Sequence, residues 1–168
     1  MHEGIHMELP TITGLVVTVF LLATLSAPVL ADTRTAALNG FEETPAISTA
    51  GVGQFKATIS NDGTSIAYEL SYSGIEGGAV SAAHIHLGQV GVAGGVMAFL
   101  CGGGNKPACS ASGPVAGTII AADILGPAGQ GIAAGEFAEA IRAIRFGKTY
   151  VNVHTAAFPG GEIRGQIK

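Results

Sequence analysis

Apolar and polar residues alternate along much of the chain, and this period of two predicts β-strands. The clearest example is the pair Val52 to Ser60 and Ser65 to Ser73, where apolar or aromatic residues recur at every second position. Asn61-Asp62-Gly63-Thr64 lies between them, and an Asp-Gly step accepts the positive φ of a tight hairpin turn. These two segments are therefore predicted to pair, with one face in the core and one in water.

The remaining segments predict a mainly β fold. Ile132, Phe137, Ile141 and Ile144 have helical spacing, which predicts one amphipathic helix around Ala134 to Phe146, ended by Gly147. Six to eight short strands with one inserted helix are typical of an antiparallel, Greek-key-like β-sandwich. Besides the hairpin, the predicted strands are Thr35 to Asn39 (at a sheet edge), Val80 to Leu87, Val96 to Cys101, Val115 to Ile120, Thr149 to Thr155 and Glu162 to Lys168.

The N-terminal segment resembles an export signal. An apolar run from Gly14 to Leu30 ends at Val29-Leu30-Ala31, which fits cleavage by signal peptidase before Asp32. We therefore expect residues 1–31 to be a signal peptide and residues 32–168 to form one periplasmic or extracellular domain. The segment contains Glu3 and Glu8 but no basic residue, which fits a signal peptide poorly. An uncleaved membrane anchor is the alternative; with cleavage, we expect no membrane span.

Charge and cysteine content narrow the classes of function. The net charge is −4 and no basic patch occurs, which argues against nucleic acid as a partner. Cys101 and Cys109 are the only cysteines, and export would favour a disulfide between them. Zinc thiolates are the weaker alternative, because the spacing is not Cys-x-x-Cys and there is no second pair.

The histidines are the best candidates for chemistry. Two of the five lie in the leader, and the other three are His84, His86 and His154. His84 and His86 share one face of a strand, about 7 Å apart at Cα. A third imidazole from a neighbouring strand would complete a site suited to copper or zinc.

Four polar residues are predicted to share the face of these histidines: Asn152, Glu162, Arg164 and Gln166. A short turn supports pairing of the last two strands, whereas their adjacency to the His84 strand is an assumption. In a metal site, Asn152 or Glu162 would orient the ligands, and Glu162 or solvent could supply a fourth ligand. The alternative is a purely structural hydrogen-bond network, which patterning alone favours.

Several motifs resemble those of the CHRD domain family, named after chordin. They are Glu43 with Pro45, His84-Ile85-His86-Leu87-Gly88, Tyr150-Val151-Asn152-Val153-His154-Thr155 and Gly161-Glu162-Ile163-Arg164-Gly165-Gln166. Thr44 departs from the pattern, since the family usually has a second proline there, and the Cys101–Cys109 segment looks like a local elaboration. The resemblance runs from about Arg34 to Lys168 and implies a β-fold domain of a type found in many exported bacterial proteins.

A more distant resemblance links the chain to the copper/zinc superoxide dismutase sandwich. His84, His86, His154 and Arg164 would take comparable positions. Three histidines cannot supply the full zinc set and the bridging ligand, so the resemblance does not imply a dismutase.

Two functions follow from these observations. The first is a non-enzymatic binding or structural module for an extracellular protein or a cell-surface component. The alternative is a copper- or zinc-binding protein that uses His84, His86 and His154, with weak oxidoreductase chemistry.

Overall fold

Eight antiparallel strands form one sheet around a single core. The computed structural model describes residues 31–111 and 114–168, with Met1, His2 and Gly4, so nearly all of the predicted signal peptide lies outside the described residues. The order in the sheet is β5-β4-β7-β8-β1-β2-β3-β6, and β5 approaches β6, so that the sheet is nearly closed. The strands are β1 (Asp32–Asn39), β2 (Val52–Ile59), β3 (Ile66–Ser73), β4 (Val80–Leu87), β5 (Gly95–Cys101), β6 (Val115–Ile119), β7 (Thr149–Thr155) and β8 (Ile163–Gln166).

The predicted hairpin is confirmed as β2 and β3. The two strands pair along their whole length, with Phe55 opposite Leu70 in the core. Gly63 has a φ of +67° in the turn, and the Asp62 carboxylate accepts a hydrogen bond from the Thr64 N–H. The turn chemistry therefore sets the register that keeps the apolar face inward.

The first strand lies inside the sheet, so its prediction as an edge strand is wrong. β1 pairs with β2 over its full length and meets β8 where Asn39 lies opposite Arg164. The alternation in β1 predicts a strand but does not show that β8 lies beside it, because β8 comes from the far end of the chain. The contact brings the turn after β1 next to the C-terminal motif.

The helix α1 (Phe137–Arg145) begins three residues later than predicted. Gly135 has a φ of +83°, and the Glu136 carboxylate accepts a hydrogen bond from the Ala133 N–H, so a turn occupies the first predicted positions. Ile132, Phe137, Ile141 and Ile144 are buried, which confirms the predicted apolar face. In the described part of the chain, no helix is long and apolar enough to cross a membrane.

The Cys101–Cys109 disulfide is confirmed. The loop that it closes is held at further points, since Lys106 Nζ donates to Thr118 O and pairs with Asp123 Oδ2 at 2.9 Å. Gly103 and Gly104 of this loop lie close to Phe99, where a Cβ on Gly103 would clash with the ring. The segment is thus packed against β5 rather than projecting freely.

Candidate metal centre

The strands that carry the two histidine motifs and the C-terminal motif are neighbours, in the order β4-β7-β8. His84 lies opposite Asn152, and Asn152 lies opposite Arg164, in one row across the three strands. His86 lies opposite Tyr150 in another row. The adjacency that was assumed from the sequence is therefore present, and the predicted polar side runs continuously over three strands.

The three histidines meet on this side of the sheet. One candidate ligand nitrogen from each of His84, His86 and His154 lies within 4.8 Å of the others. The ring centroids of His84 and His154 are 4.6 Å apart, and those of His84 and His86 are 5.3 Å apart. Three imidazoles on one ion place their nitrogens roughly 3.4 Å from one another. Small side-chain adjustments would therefore be enough for the three rings to bind one ion.

Two backbone carbonyls fix the orientation of two of these rings. His86 Nδ1 lies 3.0 Å from Gly94 O, and His154 Nδ1 lies 3.0 Å from Pro159 O. Because a carbonyl oxygen only accepts, each Nδ1 carries the proton, and each Nε2 presents a lone pair when the ring is neutral. This is the arrangement by which metal-binding histidines are commonly oriented.

The Nε2 atoms of these two rings are the nitrogens that the carbonyls leave for other partners. His86 Nε2 is buried and has no hydrogen-bond partner. His154 Nε2 lies 2.9 Å from His84 Nδ1 and 2.9 Å from Asn152 Oδ1. Because His154 Nε2 carries no proton, His84 Nδ1 donates the hydrogen bond between the two rings, and the Asn152 oxygen presents a further lone pair beside them. The cluster is therefore rich in acceptors, as a cation site should be.

Burial keeps the histidines neutral. Desolvation lowers the pKa of His84 to about 3, with further lowering from His154 and His86. Desolvation also lowers the pKa of His86 and of His154. The hydrogen bonds to Gly94 and Pro159 and, for His86, the Asn152 side chain oppose that effect only in part. Neutral imidazole is the metal-binding form, so these pKa directions leave the ligands ready at neutral pH.

Tyr150 and Arg164 extend the cluster on one side. The Tyr150 ring stacks on His86, with centroids 4.8 Å apart and planes 6° apart, and the Arg164 guanidinium carbon lies 3.5 Å from the Tyr150 centroid. Arg164 Nη2 donates to Gln89 O and Val92 O. Arg164 is 2% exposed, and its guanidinium binds the carbonyls of a loop. An arginine that attracts anions to a site would instead have to be accessible to solvent.

Two of the predicted site residues hold neighbouring segments. Glu162 is fully buried, and its carboxylate accepts from Thr49 Oγ1, Thr155 Oγ1 and the N–H groups of Glu76 and Gly77. Burial alone would raise the pKa of Glu162, but these hydrogen bonds outweigh it and hold the pKa below its usual range. Gln166 Nε2 donates to Gly88 O and Gly147 O. None of these hydrogen bonds involves a histidine.

Sequence reasoning missed three residues around the cluster: Glu43, Phe99 and Tyr150. Glu43 is buried with Oε1 unpaired, and burial raises its pKa to about 7 against the lowering effects of Arg164, the Thr44 N–H and Asn152. Phe99 packs edge-on against His84 at 4.3 Å. Two signals were available, since Glu43 belongs to a quoted motif and Tyr150 shares the face of Asn152 and His154.

The described residues thus define a class: a nearly closed antiparallel β domain with a buried three-histidine cluster on one side of its sheet. The CHRD domain profile matches residues 34–167, and the chain belongs to the CHRD domain family. No curated protein and no solved structure matches the chain. The dismutase resemblance therefore stays a prediction, whereas the CHRD resemblance is confirmed.

Proposed function

We propose that this chain is an exported, non-enzymatic CHRD module whose ligand is a single transition-metal ion, copper or zinc. His84, His86 and His154 would hold the ion, with solvent completing its coordination beside the half-buried His154. The Glu162 carboxylate is engaged by four other donors, so solvent is the better source of a fourth ligand.

The buried Nε2 of His86 carries the proposal. A buried nitrogen without a partner costs stability, and native structures contain few such atoms. Its own Nδ1 is committed to Gly94 O, so turning the ring over would break that hydrogen bond. An ion at Nε2 would satisfy this atom and would replace the His84 proton as the partner of the His154 lone pair. In a structural network the Asn152 amide, which also lies 2.9 Å from His154 Nε2, would be the neighbour left to serve His86 Nε2.

A protein or surface partner remains a prediction. Binding surfaces of that kind expose contiguous apolar patches. Besides Met1, the exposed large apolar residues of the described segments are Phe41, Val52, Val90, Val92, Ile120, Leu125 and Phe146. The histidine cluster gives the metal hypothesis a more specific geometric basis.

Metal content of the protein tests the proposal. The protein would be purified without a histidine tag from the periplasm of an expression host, incubated with copper or zinc, desalted and measured by elemental mass spectrometry. We expect about one ion per chain in the wild type and at least a tenfold lower metal content after desalting in His84→Ala and in His154→Ala, because each removes a ligand.

Tyr72→Phe is the matched control. It removes a buried hydrogen bond to Ser110 O on another part of the sheet, so it perturbs stability without touching the cluster. This variant should bind metal like the wild type, and urea unfolding should show that all variants fold. Absence of copper and zinc from well-folded wild-type protein would overturn the proposal.

A further inference from the structure

The three histidines of the proposed site are not oriented in the same way. Backbone carbonyls accept hydrogen bonds from Nδ1 of His86 and from Nδ1 of His154. Among the described residues no carbonyl does this for His84, whose ring forms its hydrogen bond with His154 Nε2. That contact lies inside the cluster, and an ion bound between the two rings would replace it. The orientation of the His84 ring therefore depends on packing.

Phe99 provides this packing. It lies opposite His84 in the sheet, and the two rings meet edge to face, with centroids 4.3 Å apart and planes at 82°. The register shifts between Ala83 and His84, which leaves Leu100 as a bulge without a partner in β4. Leu100 and Cys101 both join the hydrophobic core, and the bulge thereby directs the Phe99 side chain to the histidine side.

The Phe99 ring also contacts the loop that the Cys101–Cys109 disulfide closes. A Cβ placed on Gly103 would lie 2.2 Å from Phe99 Cε1, so the backbone of this glycine lies directly against the ring. A Cβ placed on Gly104 would lie 3.5 Å from Phe99 Cδ2. The ring is therefore bounded by the loop as well as by His84, and movement of either would be felt by the other.

We infer that Phe99 is a positioning residue of the proposed metal site, which fixes the His84 ring and is itself held in place by the Cys101–Cys109 loop. The inference rests on the proposed function and concerns the same site. Phe99 has no atom that coordinates a metal ion, so it acts through His84. A ligand ring that is already oriented loses less conformational freedom when the ion binds, and removing the contact should therefore weaken binding.

Metal affinity measured in a double-mutant cycle tests the role of Phe99. Zn(II) or Cu(II), whichever the protein retains, would be titrated against a chromophoric chelator of known affinity. We expect Phe99→Ala to lower the affinity about tenfold in the wild type and less than about twofold in the His84→Ala background. A purely structural role of Phe99 would lower the affinity equally in both backgrounds.

Met97→Ala is the matched control in the same strand. Met97 is 1% exposed and belongs to the hydrophobic core, whereas the ring contacts of His84 are with Phe99 and the other two histidines. Met97→Ala should lower stability and leave the metal affinity unchanged. Phe99→Leu keeps an apolar side chain but removes the ring, so it replaces Phe99→Ala in the cycle if that variant does not fold.

A second pair of variants leaves both rings in place and tests the loop. Gly103→Ala adds a methyl group where the Phe99 ring lies, whereas Gly129→Ala adds one that meets nothing within 4 Å. We expect Gly103→Ala to lower the metal affinity severalfold and Gly129→Ala to leave it unchanged. In the Phe99→Ala background, Gly103→Ala should have no further effect, because the ring that it displaces is gone.

The outcomes separate this inference from the proposed function. Equal losses for Phe99→Ala in the two backgrounds, or no loss in either, would overturn the role of Phe99 and leave the metal site standing. Equal affinities of Gly103→Ala and Gly129→Ala would overturn the role of the loop. Failure of the folded wild-type protein to bind zinc or copper would overturn the proposed function itself.

Discussion

Two regions of one sheet have the same alternating pattern but use it differently. In β2 and β3 the polar residues face water, and Gln54, Lys56 and Glu69 are exposed. In β7 and β8 the polar residues are buried or half-buried, with Asn152 at 3% and Arg164 at 2% exposure. The difference comes from loops, because the segments around Gly40–Glu43 and Gly88–Gly94 lie against the second region and not the first.

The comparison shows what happens to a polar face once it is covered. A solvated polar side chain has water as its partner, and its replacement costs little. A covered one must find partners in the protein, so the β4-β7-β8 region becomes a network of side-chain hydrogen bonds, in which His86 Nε2, Thr149 Oγ1 and Gln166 Oε1 remain without a partner. The atoms left over, such as His86 Nε2, then become informative about ligands.

The largest expected effect is a loss of stability, and it should differ between a buried glutamate, Glu162, and an exposed one, Glu69. Glu162→Ala should lower the free energy of unfolding by about 3 kcal/mol, because it leaves four donors without their acceptor, two of them backbone N–H groups. Glu69→Ala, on the exposed face of β3, should change it by less than about 0.5 kcal/mol. Urea denaturation at neutral pH measures both, and equal losses would contradict the distinction between the regions.

The next expected effect is a loss of stability in mild acid. The folded pKa values of His84, His86 and His154 lie below the unfolded value of 6.5, so their contribution is present above pH 6.5 and is lost as the pH falls. Glu43 acts oppositely, since its folded pKa of about 7 exceeds 4.5 and its contribution is lost as the pH rises through 7. Below pH 6.5 the three histidines together outweigh Glu43, so the unfolded chain binds more protons than the folded one. For each such extra proton, the free energy of unfolding of the metal-free protein should fall by about 1.4 kcal/mol per pH unit.

Urea midpoints of the metal-free protein at pH 7.5, 6.5 and 5.5 would measure this dependence. Glu43→Gln removes the opposing group and should steepen the loss between pH 6.5 and 5.5. A flat profile over that interval would mean that the histidines are not held neutral by burial. The β2-β3 region contributes no histidine, so the pH dependence should come from the β4-β7-β8 region.

The smallest expected effect concerns an exposed ion pair. Arg142 and Glu139 are one turn apart on α1, 2.7 Å from one another, with side chains 69% and 38% exposed. Arg142→Ala should cost about 0.3 kcal/mol, because exposed pairs gain little in water. Thermal unfolding would measure the change. A loss above about 1 kcal/mol would contradict the expectation that this pair is as weak as other exposed ion pairs.

Much of the fold was accessible from local pattern. The hairpin of β2 and β3 follows from alternation around an Asp-Gly turn, and the apolar face of α1 follows from helical spacing, because both are set by residues close in sequence. The start of α1 was misplaced because a Glu136 side chain closes the preceding turn. The edge position of β1 was wrong because its second neighbour, β8, is more than a hundred residues away in the chain.

The candidate site divides in the same way. By itself the sequence determined which residues share a strand face, so it identified the three histidines and most of their polar neighbours, since side-chain direction follows the pleat. Only the tertiary structure decided that β4 lies beside β7, that loops cover their polar side, that Glu162 serves other donors and that Tyr150 joins His86 to Arg164. Those facts depend on contacts between distant segments, and a period of two contains no information about what covers a face.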